Sequence, residues 1–157
     1  MNEAAIATLS LAKKFKKPGI LDAEAPVSEQ AVDLASHVAF SKQGLSHFTN
    51  KDDVTASLKV IENDFNSWAC VTDGSNGVYF LEEGTLCNLP APEIKAKDTL
   101  GAGDVWHGAF AVCLAEGKSE SEAIKFSNLA AAIKCTKFGG QSSIPTRAEI
   151  NEFINSK

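Results

Sequence analysis

Residues Asp98-Thr99-Leu100-Gly101-Ala102-Gly103-Asp104 run straight into Val105-Trp106-His107-Gly108-Ala109-Phe110-Ala111-Val112-Cys113-Leu114, a stretch patterned like a buried helix. Small residues at Gly101, Ala102 and Gly103 let the backbone come close to a ligand. The first turn of the helix adds unpaired N–H groups and the positive end of the helix dipole. Phosphate is the natural occupant of such a junction. Asp104, where the helix begins, sets a carboxylate beside the charge those N–H groups gather, as a base next to a transferring phosphoryl group must be. A plain turn with Asp104 as N-cap fits the same residues, and the junction alone leaves both readings open.

The flanking pattern alternates strands and helices. Residues 3–17 read as a helix with a basic end at Lys13, Lys14, Lys16 and Lys17, stopped by Pro18-Gly19. Ile20-Leu21-Asp22 and His37-Val38-Ala39-Phe40 read as short buried strands, with a helix over 28–36 capped by Ser28 between them. Strand, helix, strand implies parallel pairing through a right-handed crossover. Residues 52–65 put Val54, Leu58 and Ile61 on one helical face, and 68–72 form the next strand.

Gly74 and Gly77 mark a turn into Val78-Tyr79-Phe80-Leu81; Glu83-Gly84 then separates this strand from Thr85-Leu86-Cys87, predicting a hairpin. Pro90 and Pro92 predict an extended connection. Apolar residues cover nearly every side of 104–114, so that helix is expected to be buried all round. Ser119 with Glu122 forms a capping box for a helix to about residue 134, and Thr146 with Glu149 repeats it for a last helix to about residue 155. The expected class is α/β, a mostly parallel sheet with flanking helices, in a single domain over residues 1–157.

Composition narrows the function. With 157 residues, 44% of them hydrophobic and 22% charged, the chain can bury a real core. A net charge of -5 argues against nucleic acid, which needs clustered Lys and Arg. An anionic nucleotide would need a local site and Mg²⁺ to overcome that background. Neither a membrane-length apolar run nor a basic-then-apolar leader is visible, so a cytoplasmic protein with no membrane partner is expected. Cys70, Cys87, Cys113 and Cys135 form no C-x-x-C pair and read as reduced, packed thiols. No P-loop, protein-kinase or dinucleotide fingerprint occurs.

The stretch 98–104 with Gly108 and Phe110, together with Val71-Thr72-Asp73-Gly74-Ser75-Asn76-Gly77-Val78, Asn128-Leu129-Ala130-Ala131-Ala132 and Lys137-Phe138-Gly139-Gly140, resembles the ribokinase (PfkB) carbohydrate kinase family. Ser41-Lys42 and the Asp-Thr-Leu form of the signature look most like its ketohexokinase-type branch. The resemblance implies a ribokinase-like three-layer α/β/α fold and ATP-dependent phosphorylation of a sugar hydroxyl. It makes Asp104 the general base and the backbone N–H groups of Gly101, Ala102 and Gly103 the cradle of the γ-phosphate. Thr72, Gly74 and Gly77 would line the nucleotide's phosphates and ribose. Asn128, Ala131 and Ala132 would face adenine, with Gly140 on the opposite wall. ATP and Mg²⁺ are the implied cofactors, and Asp98 with the Leu100 carbonyl is implied to hold a potassium ion.

Two departures stand out. Where many members carry Asn-x-x-Glu, tied to magnesium and phosphate, this chain reads Ser41-Lys42-Gln43-Gly44. The match also covers only the carboxy-terminal half of the family, so the amino-terminal strands and the lid are expected to be missing. This motivates a second reading, a truncated or degenerate kinase that binds nucleotide or only self-associates. An unpaired sheet edge would then call for a homo-oligomer or a covering partner. His37, His47 and His107 follow no ligand spacing and receive no role.

Overall fold

A computed structural model of the chain describes residues 3–155. These residues divide into two compact units, the first ending at residue 88 and the second beginning at residue 89.

The first unit carries the strands β1 (Ile20–Ala23), β2 (His37–Ser41), β3 (Trp68–Thr72), β4 (Val78–Glu82) and all but the last residue of β5 (Thr85–Leu89), in the order β1-β2-β3-β4-β5. β1, β2 and β3 run parallel, and β4 turns antiparallel to β3. The side-chain period of two sorts residues onto two faces. Val38, Phe40 and Val71 on one face pack with Leu9 of α1 (Glu3–Lys14), Val32 of α2 (Glu29–Leu34), Leu45 of α3 (Lys42–Thr49), and Leu58 and Ile61 of α4 (Val54–Asp64). On the other face His37, Trp68 and Phe80 form a row of tilted rings, 5.7 and 5.9 Å between successive centroids. The β4–β5 turn takes positive φ at both Glu83 (50°) and Gly84 (73°), the mirror-image geometry that matches the twist of a hairpin.

Two local expectations need correction. Ser28 stands at the N-cap of α2, but its side chain makes no capping bond. α3 was not anticipated at all. It forms because the Ser41 hydroxyl accepts the Gly44 N–H at 3.0 Å and Leu45 and Phe48 then reach the sheet-face core, while Asn50 ends the helix in the left-handed conformation. Gly44 is also needed sterically, since a Cβ there would lie 2.4 Å from the Ala23 carbonyl oxygen. A glutamate at the fourth position of the Asn-x-x-Glu pattern has no room in this backbone.

The second unit begins with an extended segment and holds α5 (Ala102–Ala115), α6 (Glu120–Cys135) and α7 (Arg147–Asn155). Both expected capping boxes are present: Ser119 and Glu122 exchange bonds at the start of α6, and Thr146 and Glu149 do so at the start of α7. α5 is not buried all round. Trp106, Phe110, Cys113 and Leu114 are buried, but Gly108 and Val112 are exposed, because that side opens onto a groove. Trp106 stacks on Phe110, ring centroids 4.9 Å apart. Among the described residues no helix is long and apolar enough to cross a membrane.

Candidate active site

The loop before α5 is built from side-chain-to-backbone bonds. Asp98 accepts the Leu100 N–H at 3.0 Å, and Gly101 takes the left-handed conformation (φ 75°) that turns the chain into the helix. Helix N-caps are therefore set by Gly101, and Asp104 stands in the first helical turn rather than at the cap. The Ala102 N–H donates to the Thr99 carbonyl at 3.1 Å. Its bond to an anion is thus replaced within the loop, which leaves the N–H groups after it as the outward donors of the first turn.

Asp104 is exposed, and a Cβ placed on Gly101 would lie 3.7 Å from its Oδ2. Any side chain at 101 would be strained by the positive φ, while its Cβ would only touch the carboxylate. Gly103 and Gly108 differ in kind: a Cβ at either would meet nothing within 4 Å. A helical glycine costs roughly 1 kcal/mol against alanine, and nothing within the chain offsets that cost at these two positions. Open space above a helix N-terminus is what a phosphate-sized ligand requires.

Leu100, Gly101, Asp104 and Gly140 share the rim of an open groove of about 550 Å³. Its walls are mostly apolar, including Val105 and Val112 of α5, Phe126 and Ala130 of α6, and Ile150 of α7. An aromatic base and an anionic tail would both find suitable surface there.

Lys134 carries no signal in the sequence. This α6 residue lines the groove, is 1% exposed, and donates to the Asp98 carbonyl at 3.1 Å while standing 3.8 Å from the Asp98 carboxylate. The same carboxylate accepts the Gly139 N–H at 3.2 Å. The Leu100 N–H first, then Gly139 and Lys134, hold the Asp98 carboxyl below its usual range. Lys134 follows the run Ala130-Ala131-Ala132-Ile133, and residues 97 and 98 dock their N–H groups on the neighbouring Cys135 carbonyl.

Asn128 is 6% exposed and fully engaged. Its Oδ1 accepts the Trp106 Nε1–H at 2.8 Å, and its Nδ2 donates to the carbonyls of Leu89 and Pro90 at 3.0 and 3.2 Å. The amide ties α5, α6 and the extended segment together. His107 Nδ1 lies 2.8 Å from the Gly103 carbonyl.

In the first unit Thr72, Gly74 and Gly77 come together at the end of β3. Thr72 donates to the Phe40 carbonyl at 3.3 Å, and Gly74 and Gly77 both take positive φ (53° and 90°) in the turn to β4. Lys42, largely exposed, has its Nζ 3.4 Å from the Asp73 carboxylate in that turn. Among the described residues no group of three or more His, Cys, Asp or Glu surrounds a common point. All four cysteines are free, with Cys70, Cys113 and Cys135 buried.

A model of the pfkB family of carbohydrate kinases matches residues 1–147. A ribokinase of Bacillus subtilis (strain 168) is 29% identical over 130 residues, 83% of this chain and 43% of that protein. A crystal structure of a candidate ribokinase from Agrobacterium tumefaciens superposes with a TM-score of 0.91 at 36% identity, over 98% of this chain and 52% of its own. The ribokinase of Arabidopsis thaliana, solved with ribose and ATP, superposes with a TM-score of 0.87 at 25% identity, over 96% of this chain and 52% of its own. The chain thus spans about half the length of these relatives. Fructokinases also match, and nothing singles out a ketohexokinase-type branch.

Proposed function

The chain belongs to the pfkB family of carbohydrate kinases, and on that premise we propose that it serves ATP-dependent phosphoryl transfer to a hydroxyl of a small sugar, with Asp104 as general base. Its fold is of the ribokinase-like α/β class. The observation that carries the proposal is the opening of α5, where an exposed carboxylate stands beside a left-handed glycine and a helical glycine with empty space above it.

Asp104 would take the proton from the attacking sugar hydroxyl as the oxygen–phosphorus bond forms and the bond to the ADP oxygen breaks. N–H groups of the first turn of α5, led by Gly103, would take up charge growing on the peripheral phosphoryl oxygens. A carboxylate is a weak base at neutral pH, which is tolerable because a loose transition state needs the proton late and positioning supplies most of the acceleration. Within the second unit, Gly140 and the apolar groove would receive the nucleoside. Asn128, its amide already committed, would act by holding α5 in place instead of by touching adenine.

Magnesium does not fit a protein cage here. The acidic position of the Asn-x-x-Glu pattern is Gly44, backed against the Ala23 carbonyl, and no carboxylate cluster replaces it among the described residues. Mg²⁺ would arrive on the triphosphate, keeping most of its waters. The sugar belongs to the class handled by ribokinases and fructokinases, a pentose or ketohexose. Residues that complete its binding, and a partner or second copy covering the open edge of β1, would lie outside the geometry described above.

An ADP-release assay across ribose, fructose and other small sugars tests the reading. Turnover is expected to fall by at least about a hundredfold in Asp104→Asn, with affinity for an ATP analogue nearly unchanged. An Asp104→Asn variant as active as the parent would remove the base. Nucleotide binding without turnover on any sugar would favour the second reading, a protein that binds nucleotide without catalysis, for which the altered Ser41–Gly44 segment speaks.

A further inference from the structure

We infer that Lys134 provides, from within the chain, the monovalent positive charge beneath the 98–101 loop, and that the protein is therefore indifferent to potassium. The family resemblance implies a potassium ion at Asp98 and Leu100. The residues do not fit one. The Lys134 ammonium already rests on both kinds of oxygen that Asp98 could offer a cation, 3.1 Å from its carbonyl and 3.8 Å from its carboxylate. The carboxylate also accepts the Leu100 and Gly139 N–H groups, one on each oxygen. A second cation on the same oxygens would stand against a buried ammonium with little water between them to screen the repulsion.

The arrangement is what a tethered replacement needs. Lys134 is 1% exposed, so its charge is committed to this place, and it lies in the last turn of α6, where the helix dipole favours a cation. Three bonds converge on Asp98: from Lys134, from the loop's own Leu100 and from Gly139. They fix the loop that carries Gly101 to the segment that carries Gly140. Lys134 is accordingly a positioning residue. It touches neither reacting atom in this account, and it shapes the anion site by fixing the turn into α5.

The nucleotide part of this inference rests on the proposed function; the structural part does not. Thermal unfolding of the full chain and its affinity for an ATP analogue are to be measured in potassium, sodium and choline chloride at equal ionic strength. The parent protein should give one melting temperature to within about 1 °C and one affinity to within about twofold in all three salts. Lys134→Met keeps the packing and removes the charge; its melting temperature should drop in choline and recover in part in potassium. A parent protein that melts higher, or binds tighter, in potassium than in choline would overturn the inference, and so would a Lys134→Met chain indifferent to the salt. If Lys134→Met does not fold, the parent series decides alone. Absence of nucleotide binding in every salt would sink the functional reading, while the unfolding series would still test Lys134.

Discussion

Replacing Asn128 separates a residue that holds the site together from one that reads adenine. In Asn128→Ala the Trp106 indole N–H loses its acceptor, and the carbonyls of Leu89 and Pro90 lose their donor. Each hydrogen bond contributes about 1 kcal/mol net, and a buried donor left without a partner adds to that. With Asn128 6% exposed, little water can substitute. The loss should be about 3 kcal/mol, a fall in Tm of about 6–12 °C for a chain of this size. Urea unfolding followed by tryptophan fluorescence, with calorimetry of an ATP analogue alongside, gives both quantities. Nucleotide affinity should weaken no more than the loosening of α5 requires. An Asn128→Ala chain with an unchanged unfolding midpoint and abolished affinity would refute the reasoning and return the amide to the adenine.

Gly103→Ala should raise stability without nucleotide by roughly 1 kcal/mol, because a methyl there meets nothing and favours the helix. It should also weaken ATP-analogue binding, and calorimetry showing tighter or equal binding would speak against a phosphate above that glycine. Glu149 is held down to about 2, first by the Lys137 ammonium, then by the N–H and hydroxyl of Thr146. A carboxyl lowered on folding stabilises above its unfolded value near 4.5 and loses that contribution as pH falls toward 2. The stability gap between the parent and Glu149→Gln, read by urea unfolding, should therefore be present at pH 6 and close on acidification; a gap that widens below pH 4 would contradict the pairing.

Local chemistry was legible wherever a short stretch contains both halves of an interaction. Ser119 with Glu122 and Thr146 with Glu149 announced two helices, and Glu83-Gly84 announced the hairpin. α3 was obscured because the residues of its first turn were read against a family motif, and its apolar face is only Leu45 and Phe48. The burial of α5 was overestimated for the opposite reason. Its residues are small and apolar on every side, and the pattern cannot say that one side faces a groove instead of a core.

The site shows the same division. Gly101, Asp104 and Gly140 line one groove; the helix start points to the first two, and only the family resemblance points to Gly140. Asn128 is marked by the family resemblance, but its partners, like that of Lys134, lie 22 to 39 residues away in sequence and only tertiary packing selects them.

Amide chemical shifts of the labelled chain, followed by NMR during titration with a non-hydrolysable ATP analogue and Mg²⁺, test the phosphate cradle most directly. Saturable movement of the Gly103 and Asp104 amides is expected, with Gly140 moving in step. Saturation elsewhere in the chain with those amides unmoved would contradict it.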